Sequence, residues 1–83
     1  MEATKLPKWF DGKVYNAGGT VTNSFSGESY ELNAEELSMY DFIMGANMLM
    51  ELGPPSRELY KNFHKGLMWF RVNNPEAYYV LLD

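Results

Sequence analysis

The sequence contains no cysteine and a single histidine, His64, among its 83 residues. Without cysteine the chain has neither a disulfide framework nor a thiolate metal site. Any catalytic triad or histidine-based metal site would have to be built around His64 alone, so we expect neither a bound metal nor a cofactor. The absence of cysteine also fits a reducing compartment, and we expect the protein to act in the cytoplasm.

Long apolar runs are also missing, because Asp41, Asn47 and Glu51 interrupt the most apolar stretch before it reaches the roughly 20 residues that span a bilayer. The N-terminal sequence lacks the apolar core of a signal peptide. The net charge is −4, which disfavours a general nucleic-acid binder because such proteins gain affinity by neutralising phosphates. We therefore expect no association with a membrane and no direct binding of nucleic acid.

Hydrophobic residues make up 46% of the chain and aromatic residues 16%, which indicates a folded globular protein instead of a disordered one. At this length we expect a single compact domain over residues 9–83. Residues 1–8 are predicted to form a flexible arm, because Pro7 ends any regular structure there. Trp9 and Phe10 are too apolar to stay in solvent, and we expect them to attach this arm to the domain.

A long helix is predicted over residues 34–52, at the centre of the fold. Asn33 is a favourable N-cap, and Glu36 stands three residues later, as in a capping box. Gly53 and the two prolines after it end the helix. Apolar residues occur on nearly every side of it, which is typical of a helix that is covered all round. Gly45 and Ala46 are predicted to allow a close crossing with a neighbouring helix.

Short strands are predicted at residues 13–15, 20–22 and 29–32, where β-branched and aromatic residues lie between turn-forming segments. These strands would form an antiparallel β-meander. Gly18 and Gly19 lack the spacing of a glycine-rich phosphate loop, and we interpret them as a turn.

A second, amphipathic helix is predicted from about Pro55 to Val72, and a short third helix is predicted to begin at Asn74 and Pro75. We expect the third helix to cover Met68, Trp69 and Val72. The fold class is therefore α+β, with a short N-terminal β-meander packed on three helices.

Two groups of residues are candidates for binding a partner. The first lies on the second helix, where a basic flank could hold a phosphate or an acidic partner segment, or could be an ordinary solvated face: Arg57, Lys61, His64, Lys65 and Trp69. The second is an additional apolar face of the central helix, which is either part of the core or an adaptable binding surface: Tyr40, Met44 and Met48.

Several motifs between residues 8 and 45 resemble a pattern in small proteins of marine bacteriophages, especially those that infect cyanobacteria. They are a W-[FY]-D-G start at residues 9–12, a V-x-N-x-[FY]-[ST]-G loop at 21–27, and an E-L-[NST]-x-E segment at 31–35 that leads into L-x-x-Y-D. Such families commonly have a proline after the loop asparagine, where this chain has Ser24. The resemblance implies a viral protein in a bacterial cytoplasm and no particular activity.

We therefore expect an accessory protein that binds itself, as a homo-oligomer, or binds a host protein. An alternative is an acidic mimic or inhibitor of a nucleic-acid-binding protein, which would use Glu28, Glu31, Glu35 and Glu36. A remoter alternative is a small hydrolase or isomerase that would use His64 and Asp41. If Asp41 were buried, it would require a basic partner from another segment, such as Arg57, Lys61 or Arg71.

Overall fold

The structure is a computed structural model that describes residues 5–82. Two short strands come first and three helices follow: β1 (Gly19–Thr22), β2 (Ser29–Leu32), α1 (Ala34–Leu52), α2 (Arg57–Asn73) and α3 (Pro75–Leu81). This order confirms the predicted α+β class, with an antiparallel sheet followed by three helices.

Strands β1 and β2 form a hairpin in which Val21 is paired with Tyr30 and Thr22 with Ser29. Successive side chains of a strand point to opposite faces of the sheet, so Val21 and Tyr30 turn inwards while Thr22 and Ser29 remain exposed. The two exposed hydroxyls lie 2.8 Å apart and form a cross-strand hydrogen bond. One face of the hairpin therefore packs on the helices.

The strand predicted at residues 13–15 does not form, and that part of the prediction is wrong. The backbone N–H of Tyr15 donates to Ser38 Oγ at 2.8 Å, so a side chain of α1 takes the bond that a neighbouring strand would have needed. Lys13 and Val14 are exposed. The predicted meander is therefore a two-stranded hairpin within residues 5–82.

The ends of α1 are those that the sequence predicts. Asn33 Oδ1 accepts a bond from the Glu36 N–H at 2.8 Å, and Glu36 Oε1 accepts the Asn33 N–H at 3.0 Å. These reciprocal bonds satisfy two of the free amides at the helix start. Helix α1 stops at Leu52, and Gly53 follows in an extended conformation.

The close crossing of α1 and α2 occurs at Gly66 and not at Gly45. A Cβ atom on Gly66 would lie 3.2 Å from Met39 Sδ and 3.3 Å from Ile43 Cγ1, whereas nothing lies within 4 Å of such an atom on Gly45. Gly45 is exposed, although its neighbour Ala46 is buried. The predicted role of Gly45 is therefore wrong, because the contact face of α1 lies on its other side.

Helix α3 closes the core through Ala77 and Leu81, and Asn74 caps it as predicted. Of the three residues of α2 that the sequence assigned to it, two are not covered. Met68 and Val72 are exposed, and Trp69 Nε1 donates to the carbonyl of Lys5 at 3.2 Å.

The N-terminal segment packs beside Trp69. Leu6, Trp9 and Phe10 pack against the core cluster. Residues 1–4 of the predicted arm lie outside the described residues. None of the helices within residues 5–82 is long and apolar enough to cross a membrane.

Candidate functional site

The C-terminal half of α1 carries a group of exposed apolar side chains, which we call the α1 patch: Met44 at 42%, Met48 at 64%, Leu49 at 56% and Leu52 at 81% exposure. Met44, Met48 and Leu52 follow one another at intervals of four residues and form a row along the helix. The sequence predicted that α1 would be covered on all sides. That prediction is wrong for the C-terminal half. Helix α2 and the hairpin cover only the first turns of α1 and the face that carries Met39, Ile43 and Ala46.

Beside Met44 lies a cavity of about 360 Å³, which we call the loop groove. The turn of the hairpin and all three helices form its walls: Thr22, Asn23, Ser24, Phe25, Tyr40, Ile43, Met44, Asn47, Phe63, Leu67, Tyr78, Leu81 and Leu82. None of these residues is charged, although charged residues make up 22% of the chain. The loop groove therefore suits an uncharged, largely apolar group.

Tyr40 and Met44 line the loop groove, and Met48 lies one turn further along the α1 patch. Burial in the groove wall raises the pKa of the half-buried Tyr40 above the ordinary value of 10.0, because the charged phenolate is poorly solvated there. The three residues predicted on the additional apolar face thus belong to one continuous surface, which runs from the loop groove to the end of α1.

The hairpin turn presents Phe25 at the rim of the loop groove with 99% of its surface exposed. The Asn23 side chain holds this turn, since its Oδ1 accepts the Phe25 N–H at 2.8 Å and its Nδ2 donates to the Val80 carbonyl at 2.9 Å. Gly27 takes a φ of 81°, which favours glycine, and its N–H donates to the Asn23 carbonyl. Sequence reasoning did not select Phe25 as a functional residue. The available signal was a large aromatic residue inside the polar loop Asn23–Gly27.

The second predicted group also lies on the surface, on what we call the basic face of α2: Arg57, Lys61, His64 and Lys65. A cavity of about 430 Å³ separates this face from Trp9. The Lys65 ammonium lies 5.9 Å from the centre of the Trp9 ring, within cation–π range, and the His64 ring packs edge-on against Tyr60 at 4.5 Å.

Trp69, which was predicted with this group, lines neither the cavity beside Trp9 nor a second cavity along the basic face. Its indole N–H bonds to Lys5, and its ring stacks edge-on against Phe70. Trp9 takes its place beside the lysines. The sequence places Trp9 in the N-terminal segment, and only the folding of that segment onto α2 brings them together.

The structure does not bring Asp41 and His64 together. Gly66 contacts Met39 and Ile43 where the two helices cross. Asp41 lies two residues from both Met39 and Ile43, and His64 lies two residues from Gly66. Two residues correspond to a rotation of about 200° around a helix, so both side chains point away from the crossing. Both side chains are exposed and lie on opposite outer faces of the helix pair. Within residues 5–82, no group of histidine, aspartate and glutamate side chains could hold a metal ion.

One of the four acidic residues proposed for a mimic is not on the surface. Glu36 is buried, and its two carboxylate oxygens accept bonds from Asn33 N–H and Asn74 Nδ2. Glu28 and Glu31 are exposed on the hairpin, and Glu35 is half-buried. Glu36 is therefore not available to a partner in this fold.

The chain matches no protein-family model, no curated protein and no solved structure. The proposal for its function therefore depends on the geometry of these surfaces and on the sequence motifs.

Proposed function

We propose that the protein acts by binding another protein molecule, either a second copy of itself or a host protein. The uncharged surface formed by the loop groove and the α1 patch, in which apolar side chains predominate, supports this proposal. Apolar side chains that are exposed singly are ordinary, but contiguous exposed apolar surface is typical of a site that binds another molecule. The methionines in this surface have flexible side chains, which adapt to the shape of a partner.

The energetics of this surface support a binding role. Full burial of a leucine or methionine side chain contributes about 1.5–3 kcal/mol, so the four residues of the α1 patch contribute at most about 6–12 kcal/mol. Association itself costs roughly 4–15 kcal/mol in lost translational and rotational freedom. The two ranges overlap, so burial of the α1 patch offsets a large part of this cost, and contacts in the loop groove add to the binding free energy.

The resemblance to proteins of marine bacteriophages supports a setting for this function. In that setting the chain is a small accessory protein in the cytoplasm of an infected cyanobacterium.

The test is protein capture by the immobilised full chain, using purified labelled chain as one sample and a marine cyanobacterial lysate as the other. The variant Met48→Glu/Leu52→Glu places charges in the α1 patch. We expect this variant to capture at least tenfold less protein than the wild type does, because a buried unpaired charge opposes association. The control Val14→Glu/Tyr79→Glu makes the same change at exposed apolar residues elsewhere.

Circular dichroism and thermal unfolding would establish that both variants fold. Equal capture by the wild type and the α1 patch variant would contradict the proposal. Capture of no protein from either sample would contradict it too.

The basic face of α2 supports a second, electrostatic contact with an acidic segment of the same partner. The supporting observation is the cavity between Trp9 and the two lysines, where carboxylates could meet Lys61 and Lys65 beside an aromatic ring. In the same capture experiment, Lys61→Glu/Lys65→Glu would weaken binding and reduce its dependence on salt. The control Lys5→Glu/Lys13→Glu has the same change in net charge, and equal effects of both variants would exclude this contact.

A further inference from the structure

Phe25 is an exposed aromatic residue on an ordered loop. Its side chain is 99% exposed, yet hydrogen bonds fix the loop beneath it. Asn23 Oδ1 accepts the Phe25 and Ser26 N–H groups, and Asn23 Nδ2 donates to the Val80 carbonyl. The Asn23 N–H also donates to the Glu28 carbonyl at 2.8 Å. A loop that is already ordered loses little conformational entropy on binding, and rigid aromatic side chains of this kind are frequent hot spots of interfaces.

The loop groove is a suitable receptor for such an anchor. Its volume of about 360 Å³ is at the lower end of the roughly 300–1,000 Å³ of pockets that hold small organic groups. Its lining includes the apolar residues Ile43, Phe63 and Leu67 and the aromatic rings of Tyr40 and Tyr78, together with uncharged polar residues of the hairpin turn. A phenyl ring fits this chemistry, because it needs apolar contacts and edge-to-face aromatic partners and no charge.

The anchor and the receptor lie side by side on the same face, since Phe25 itself lines the rim of the loop groove. A two-fold interface brings the same surface patch of both molecules together. In such an interface each copy can therefore insert its Phe25 ring into the loop groove of the other copy. The absence of charged residues in the lining matters here, because two copies that each carry a net charge of −4 repel one another elsewhere.

We infer that the occupant of the loop groove is Phe25 of a second copy of the chain, inserted reciprocally in a two-fold dimer. This inference rests on the proposed function and names the partner at that site. The α1 patch lies next to the loop groove at Met44 and extends the same interface.

The test is sedimentation velocity of the full chain from micromolar to millimolar concentrations. We expect the wild type to dimerise. Phe25→Ser removes the anchor without touching the core, and Asn47→Arg places a charge in the receptor at an exposed position. Each variant should weaken dimerisation at least tenfold. Tyr79→Ser, which removes another exposed aromatic residue outside the loop groove, should dimerise like the wild type.

A mixture of the two variants tests the reciprocal geometry. Phe25→Ser keeps an intact groove and Asn47→Arg keeps an intact anchor, so the mixed pair retains one complete insertion. We expect the mixture to associate more tightly than either variant alone. A wild type that stays monomeric throughout, or a Phe25→Ser variant that dimerises like the wild type, would overturn the inference.

The two proposals fail in different ways. A monomeric chain that still captures a lysate protein through the α1 patch would overturn only the inference about the second copy. A chain that neither dimerises nor captures a protein would overturn the proposed function as well.

Discussion

Glu36 connects three elements of the fold through one side chain. Its carboxylate accepts the Asn33 N–H, at the junction of β2 and α1, and the Asn74 Nδ2 group, at the start of α3. Asn74 Oδ1 in turn accepts the Ala77 N–H and caps α3. Glu36 is buried, so water does not readily replace these bonds if the carboxylate is removed.

Glu36→Ala should lower the free energy of unfolding by about 2–6 kcal/mol, because two donors would each lose an acceptor at about 1–3 kcal/mol. The neighbouring Glu35→Ala is the control, and should cost at most about 1 kcal/mol through its interaction with the helix dipole. Urea unfolding followed by circular dichroism measures both. Equal losses for the two variants would show that the Glu36 bonds contribute nothing beyond the helix dipole.

At the scale of elements, the packing of α1 on α2 determines which face of α1 is left over. Gly66 lets α2 approach Met39 and Ile43 closely, and the opposite side of α1 therefore faces outwards. The N-terminal half of that side is partly covered by the hairpin and by the segment around Tyr15. The C-terminal half extends beyond both and forms the α1 patch.

Gly66→Val and Gly45→Val compare a covered and an uncovered glycine in the same helix pair. Gly66→Val should lower the free energy of unfolding by about 1–3 kcal/mol, since its side chain would be forced against Met39 and Ile43. Gly45→Val should change it by less than about 0.5 kcal/mol, because valine and glycine differ little in helix propensity and nothing lies nearby. Thermal unfolding measures both, and a Gly66→Val protein as stable as Gly45→Val would contradict the crossing described above.

At the scale of the whole molecule, the chain is compact without a partner. Its radius of gyration of 12.5 Å is close to the roughly 12 Å expected of a folded domain of this length. The core cluster with Met39, Ile43 and Phe70 is buried within one chain, so variants of the exposed surfaces should still fold. This property makes the capture and sedimentation experiments interpretable.

The stability of the whole molecule should fall as the pH rises above 10.0, the ordinary pKa of tyrosine. Burial raises the pKa of Tyr40, and burial together with the nearby Glu76 carboxylate raises the pKa of Tyr30. The unfolded chain then loses these protons at a lower pH than the folded chain does. This release of protons by the unfolded chain favours unfolding. The stabilisation that the two tyrosines provide is therefore complete below pH 10.0, and it is lost as the pH rises through their raised pKa values in the folded chain.

Urea unfolding at a series of pH values measures this loss. The double variant Tyr30→Phe/Tyr40→Phe should lose less stability over the alkaline range than the wild type. Tyr79→Phe, at an exposed tyrosine, is the matched control. A pH dependence that is the same in all three proteins would contradict the assignment to Tyr30 and Tyr40.

The sequence by itself determined the elements whose signals are local. The capping box of Asn33 and Glu36 and the Asn74–Pro75 start of α3 each depend on bonds within a single turn, so the residues alone specify them. The hairpin at 19–32 could be predicted for the same reason. The basic face of α2 was also predictable, since helical periodicity places Arg57, Lys61, His64 and Lys65 near one another.

Tertiary structure decided what lies against each face, because this depends on contacts between residues that are distant in the chain. Apolar periodicity does not distinguish Met39, which is buried at 0% exposure, from Met48, which is exposed at 64%. The difference arises because α2 crosses α1 at Gly66 and leaves the far side uncovered. In the same way, the chain near Tyr15 bonds to Ser38 in place of a strand, and the Asn23–Val80 bond places Phe25 beside the loop groove.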